Sequence, residues 1–305
     1  MKTFPINRLF KSRQLLNLMC LTFLFVGSSV LSPSTVSGQK MLDLKFDDYP
    51  EAKLYTKDDW ESDWNDPVWE DGIREERVSI VKGANTYRGR GGAMAVDFPA
   101  GGVGPKDGGA QWKFDFEEGG QMVRLRYRVK FADGFDFVRG GKLPGLAGGT
   151  APTGSTQADG FNGFGARMMW RTDHEGQPGA PVQTKANLVQ YVKHPTSGFN
   201  NDGRQEDNLY WTDEDGERIE INSGQFYRIV TLLKLNKVGR ANGRIKSFIN
   251  GKQVLDARNI EFRKTNDLKI DVFYFTTFFG GSSDDWGPSK DETIFFDEFE
   301  VEVLR

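Results

Sequence analysis

From Val123 to Phe131 the chain reads Val-Arg-Leu-Arg-Tyr-Arg-Val-Lys-Phe, an alternation that only an extended strand can use. A helix turns about 100° per residue and would scatter the four cations around its circumference. A strand instead places Val123, Leu125, Tyr127, Val129 and Phe131 on one face and Arg124, Arg126, Arg128 and Lys130 on the other. The apolar face demands a second layer to pack against. The basic face repels itself unless carboxylates on the next strand, or an anionic ligand, offset it. The sequence leaves both solutions open; under the second, Arg126 and Arg128 would contact a polyanion.

Further short segments of the same kind follow one another: Leu42 to Phe46, Arg77 to Lys82, Ala93 to Phe98, Gln111 to Phe116, Phe161 to Arg171, Ala186 to Lys193, Phe226 to Leu235, Arg244 to Ile249, Ile270 to Phe279 and Thr293 to Val303. Turn residues separate them, and no amphipathic helical stretch is long enough to organise a domain. Asn250-Gly251 sits between Ser247-Phe248-Ile249 and Gln253-Val254-Leu255, the signature of a tight hairpin. The 24 Phe and 36 Gly among 305 residues supply an aromatic core and many turns. No internal repeat or linker interrupts the pattern. The expectation is an all-β fold: a single-domain β-jelly-roll sandwich of two antiparallel sheets spanning residues 39–305.

Residues 1–38 differ in kind. Lys2, Arg8, Lys11 and Arg13 precede an apolar run from Leu15 to Val26, and small and polar residues then lead to Gly38. That order is the plan of a secretory signal peptide, and the run is short for a membrane span. Met19 before Cys20 is bulky where a lipoprotein processing site wants a small residue. Cleavage near Gly38 would remove four positive charges and no negative ones, taking the net charge from −3 to −7. It would also remove Cys20, the only cysteine, which excludes disulfides and thiol catalysis from the mature chain. The expected location is therefore secreted or periplasmic, with no stable membrane association after cleavage and no nucleic-acid partner.

Chemistry concentrates in three places. Gly140-Gly-Lys-Leu-Pro-Gly-Leu-Ala-Gly-Gly149 sets one lysine, Lys142, in a stretch expected to form an irregular connection, because Gly and Pro punctuate loops. In Phe164 to Arg171, alternation puts Phe164, Ala166, Met168 and Trp170 on the core side and Gly165, Arg167, Met169 and Arg171 on the other. In Leu188 to His194, Val189, Tyr191 and Lys193 share a face. His194 ends that strand and is a candidate cleft residue; His174 lies in a polar turn, so two histidines give no metal-ligand spacing. Asp58-Asp59, Asp213-Glu-Asp-Gly216 and Asp284-Asp285 match no dedicated calcium loop. No metal or cofactor is expected.

Together with Phe275-Thr-Thr-Phe-Phe-Gly-Gly281, Trp286 and Lys290-Asp291, these segments resemble polysaccharide lyase family 14, in order and across Leu42 to Val303. The resemblance implies a jelly roll that cleaves uronic-acid polymers, alginate or glucuronan-like, by β-elimination. Lys142 matches the family's catalytic lysine, Arg167 the arginine of its Ser-x-Arg strand, and Tyr191 the second tyrosine of its Tyr-x-Tyr strand. Gly165 stands where the family has serine, and Val189 where it has the first tyrosine.

Elimination removes the C5 proton beside a carboxylate whose charge must be neutralised. A guanidinium at Arg167 suits a planar carboxylate, and Lys142 could supply charge or act as base. Tyr191 could protonate the departing O4 or, as phenolate, take the proton. The sequence does not divide these roles. Arg171, Lys193, His194, Arg126 and Arg128 are the expected substrate contacts, and the substrate is an anionic polysaccharide. The loss of two family hydroxyls also leaves open a noncatalytic carbohydrate-binding jelly roll.

Overall fold

A computed structural model describes residues 38–174, 181–200, 203–281 and 283–305. The expected signal peptide, residues 1–38, lies outside them except for Gly38. In chain order the strands are β1 (Gly38–Leu44), β2 (Lys53–Leu54), β3 (Glu70–Asp71), β4 (Val78–Val81), β5 (Ala93–Phe98), β6 (Ala110–Gly120), β7 (Met122–Phe131), β8 (Gly140–Gly149), β9 (Gly163–Arg171), β10 (Lys185–Lys193), β11 (Asp207–Tyr210), β12 (Glu220–Asn222), β13 (Phe226–Lys234), β14 (Gly243–Ile249), β15 (Lys252–Ile260), β16 (Ile270–Phe279) and β17 (Glu292–Leu304). All pair antiparallel, in two sheets. The first runs β15-β14-β13-β7-β17-β5-β4-β2, with β1 also on β17; the second runs β11-β10-β9-β8-β16-β6-β3, with β12 on β10. This is the jelly-roll sandwich that the strand pattern implies.

The sheets meet through their apolar faces. Val123, Leu125, Tyr127 and Val129 from β7 pack in one cluster with Phe164, Ala166, Met168 and Trp170 from β9, as alternation requires. Aromatic rings fill the space between: Trp112 stacks on Phe275 at 4.1 Å, and Phe135 stacks on Phe279 at 5.5 Å. A short helix, α1 (Lys57–Trp64), adds Trp60 and Trp64 to this core. Its start is fixed by a capping box in which Thr56 and Asp59 satisfy each other's backbone N–H groups. Among the described residues no helix is long and apolar enough to cross a membrane.

The basic row of β7 is resolved by its neighbour. Across the ladder Arg126 faces Glu300 and Arg124 faces Glu302. Arg126 reaches Glu300 at 2.6 Å and Arg128 reaches Glu298 at 2.7 Å, while Arg124 pairs with Glu302. A bulge between Asp297 and Glu300, with Glu298 at φ 51°, brings the third carboxylate into line. Carboxylates therefore offset the row, and they do so on the sheet that does not carry β8, β9 and β10. Arg126 and Arg128 stand apart from Lys142, contrary to their expected place in one groove.

Gly140 to Gly149 is a central strand, β8, and not an irregular connection. It pairs with β9 on one side and β16 on the other. Glycine is needed for closeness: a Cβ on Gly145 would lie 2.4 Å from Ala166 O and from Arg167 Cα, and one on Gly141 would lie 2.2 Å from the Trp170 ring. Pro144 falls where both ladders break register, between Leu143 and Leu146 toward β9 and between Tyr274 and Phe278 toward β16. A missing N–H is tolerated at such an irregularity.

Candidate active site

Because β16, β8, β9 and β10 are neighbours, their outward side chains form one floor on the outer face of the second sheet. One row of that floor is Phe278, Lys142, Met169 and Val189. Beside it Tyr274 pairs with Gly145, and Arg167 pairs with Tyr191. With no side chain on Gly145, Arg167 and Tyr274 meet over it. The result is a cleft of about 290 Å³ lined by Lys142, Arg167, Arg171, Tyr191, Tyr274 and Trp286, with Asn200, Arg204 and Glu206 along its edge.

Lys142 sits at the centre. Its Nζ lies 2.7 Å from Met169 Sδ and 3.8 Å from the centroid of the Tyr191 ring. Burial, joined by the Arg167 and Arg171 charges and opposed by Glu206, holds its amine well below the ordinary lysine range. Tyr191 is shifted the other way: burial and the Glu206 carboxylate raise its phenol, against the pull of Arg167. The pair therefore combines an amine ready to be neutral with a phenol that keeps its proton.

Arg167 is 4% exposed, and its guanidinium lies between two rings, 4.9 Å from the Tyr274 centroid and 5.4 Å from that of Tyr191. Among the described residues no carboxylate pairs with it. Tyr274 is held in place by its hydroxyl, which donates to Gln111 Oε1 at 3.1 Å, and the Gln111 amide donates to Asp71 at 2.7 Å. Arg171 continues the cationic wall. It lies 4.7 Å from the Trp286 centroid, and Arg139 lies 4.6 Å from the same ring and pairs with Asp285. Against Lys142, Arg167, Arg171 and Arg204 the lining sets one carboxylate, Glu206.

The other expected contacts are placed differently. Lys193 is on the cleft side of β10 but is fully buried, donating to Gly154 O at 2.6 Å; it supports the cleft edge formed by Thr153 and Gly154 and does not line the cleft. His194 turns to the core side, its ring bonded to Asp207 Oδ2 at 2.8 Å and Thr196 Oγ1 at 3.1 Å and lying near Phe262. Tyr274, Gln111, Arg204, Glu206 and Trp286 were not among the sequence candidates. Tyr274 and Gln111 fall in expected strands, and of the five only Trp286 is named in the family resemblance.

The two departures from the family pattern are structurally unequal. Val189 is fully buried among Met169, Tyr191 and Tyr210, so a larger ring there must displace neighbours. Gly165 has room, since an added Cβ would meet nothing closer than Pro152 O at 3.7 Å. Gly165→Ser is accordingly expected to fold with a Tm within about 2 °C of the parent, as for other substitutions that create no clash or buried unpaired group. Thermal unfolding followed by circular dichroism checks this; a loss of 5 °C or more would show that the glycine is required.

Fold and site together define a jelly-roll sandwich with a cationic, tyrosine-lined cleft on one sheet. The chain belongs to the polysaccharide lyase 14 family, whose model matches residues 87–299. No curated protein matches it. Among solved structures it is similar to a variant of alginate lyase Aly36B in complex with alginate trisaccharide, at 25% identity and a TM-score of 0.70 over 87% of this chain and 98% of that one. It is also similar to the marine alginate lyase from Aplysia kurodai, at 20% identity and a TM-score of 0.67 over 86% and 98%. The alginate lyase vAL-1 from Chlorella virus matches at 20% identity and a TM-score of 0.56 over 72% and 87%.

Proposed function

We propose that this protein is an exported lyase that cleaves a polyuronate, alginate or a glucuronan-like polymer, by β-elimination. The observation that carries the reading is Arg167: a buried guanidinium without a carboxylate partner among the described residues, flanked by two tyrosines and opening on a cleft. A buried cation is costly unless an anion completes it, and a uronate carboxylate supplies that anion with geometry matched to the guanidinium fork.

With the carboxylate on Arg167, the C5 proton becomes acidic because the negative charge that develops on the carboxylate is stabilised where it forms. Lys142, held toward its neutral form, takes that proton. The C5–H electrons become the C4=C5 double bond, the C4–O4 bond breaks, and the departing O4 takes the Tyr191 proton. Arg171, stacked on Trp286, extends the anion-binding wall for a neighbouring sugar. Two alginate-bound Aly36B structures carry alanine in place of a lysine together with a tyrosine or a methionine. A lysine, a tyrosine and a methionine also converge in this chain's cleft, in accord with the reading. Export rests on the composition of residues 1–38.

Unsaturated uronate ends absorb in the short-wavelength ultraviolet. Incubation with alginate, polymannuronate, polyguluronate and glucuronan should raise that absorbance on at least one of them. Binding without any rise on all four would replace the lyase reading with that of a noncatalytic carbohydrate-binding jelly roll, the reading that Gly165 and Val189 favour.

A further inference from the structure

We propose a second polyuronate-binding site on the opposite sheet, built on Arg88, Arg128 and Arg228. These three line a surface hollow of about 460 Å³ together with Tyr87, Phe226 and Asn250. Arg128 and Arg228 are direct partners across the β7–β13 ladder, an arrangement of like charges that is unfavourable without a counter-ion. Glu298 answers Arg128 at 2.7 Å. Among the described residues no carboxylate or other acceptor answers the Arg228 or the Arg88 guanidinium. Arg88 is brought there by an unusual backbone, φ 59° and ψ 21°, which L residues adopt infrequently.

One aromatic ring holds two of the three cations. The Tyr87 ring carries Arg128 at 3.5 Å and Arg88 at 4.9 Å from its centroid, and Phe226 meets the same ring edge-on at 5.9 Å. The Asn250 side chain accepts from Arg228 N at 2.8 Å, and Asn250 N donates to Arg228 O at 2.9 Å, so the hairpin turn fixes the backbone that carries the third arginine. Three guanidinium groups against Glu298 and the Asp297 carboxyl, which stands opposite Arg128 in the ladder, beside the half-buried Phe226 ring, fit a chain that offers planar carboxylates and apolar sugar faces together. The occupant is then the same polymer that the cleft cleaves. This assignment of the ligand rests on the polyuronate reading above. Holding the polymer on both sheets would raise its local concentration at the cleft.

The test uses the full chain with Lys142→Ala, which keeps the polymer intact, in native gels containing alginate. Adding Arg88→Ala and Arg228→Ala should weaken retardation about tenfold in apparent Kd, as for two charge-assisted contacts. The same pair in the otherwise unchanged enzyme should leave turnover of a uronate trisaccharide within about twofold, because a trisaccharide does not reach both sheets. Removing Arg228 relieves its opposition to Arg128, so Tm should not fall, and Arg228→Gln provides a second variant of nearly the same size. Equal retardation with and without the arginines, equal loss in gels of neutral dextran, or no retardation of any variant would each overturn the proposal. Arginine-dependent retardation without ultraviolet product would leave this site standing while the lyase reading fails. Ultraviolet product with arginine-independent retardation would do the reverse. Inorganic phosphate abolishing retardation at low millimolar concentration would show a small-anion site instead, and overturn the polymer assignment.

Discussion

Lys142→Ala should lower turnover of the best polyuronate by about 10³-fold or more while leaving the fold intact, the size expected when a general base is removed from an otherwise complete site. Stability should hold, because the substitution removes a cation that burial, Arg167 and Arg171 already disfavour, and relief of that repulsion opposes the lost contact with Met169. The informative companion is Lys142→Arg. An arginine preserves positive charge but does not deprotonate in the working pH range. If Lys142 served only to neutralise the carboxylate, Lys142→Arg would retain substantial activity; as base, it must be nearly as inactive as the alanine variant. The pH profile follows from the same shift. Activity should rise with pH as the amine loses its proton, on a limb lying below the ordinary lysine range, and initial rates across buffered pH on a saturating polymer read it directly. Wild-type activity that rises only above pH 10 would contradict the lowered amine.

How far the sequence carried this arrangement depends on contrast between faces. Where polar and apolar residues alternate, as in β7 and β9, both the strand and its inward side are legible, and Arg167 and Arg171 could be set outward on that ground alone. β16 offers no such contrast. Ile270–Phe279 sends Phe273, Phe275 and Phe279 into the core and sets Val272, Tyr274 and Phe278 on the cleft side, so both faces read as largely apolar and nothing marked Tyr274 as a cleft residue. β8 was obscured for a different reason. Its five glycines and proline have low strand propensity, and they are explained only by how closely Trp170, Ala166 and Arg167 approach, which is a tertiary fact.

The glutamates that neutralise the β7 arginines were visible as the alternation Glu300-Val301-Glu302, but register decides their pairing. A bulge at Asp297–Glu300 sets that register, and no local pattern announces it. Glu206 and Arg204 reach the cleft from the segment leading into β11, whose position depends on β11 pairing with β10. His194 shows the converse error: one residue beyond Lys193 changes face, and the core side is where alternation already placed it.

The second large effect is expected at Tyr191. Tyr191→Phe keeps the ring against which Lys142 and Arg167 pack, and removes only the hydroxyl, so Tm should shift by no more than about 2 °C. Loss of a positioned general acid should cost about 10²- to 10⁴-fold in kcat. The two sites should then be separable by leaving group. A uronoside whose departing group is a good anion, such as a nitrophenolate, does not need protonation as it leaves, so Tyr191→Phe should cleave it at close to the wild-type rate. Lys142→Ala should remain inactive on it, because the C5 proton must still be removed. The pH dependence separates them again. Burial and Glu206 keep the Tyr191 phenol above its ordinary range, so the acid form persists across neutral and mildly alkaline pH. Any fall of activity caused by its ionisation is confined to strongly alkaline solution and should vanish in Tyr191→Phe. Equal losses for Tyr191→Phe on activated and natural substrates would assign the phenol to proton abstraction instead, and Lys142 would then be left with the charge of the carboxylate.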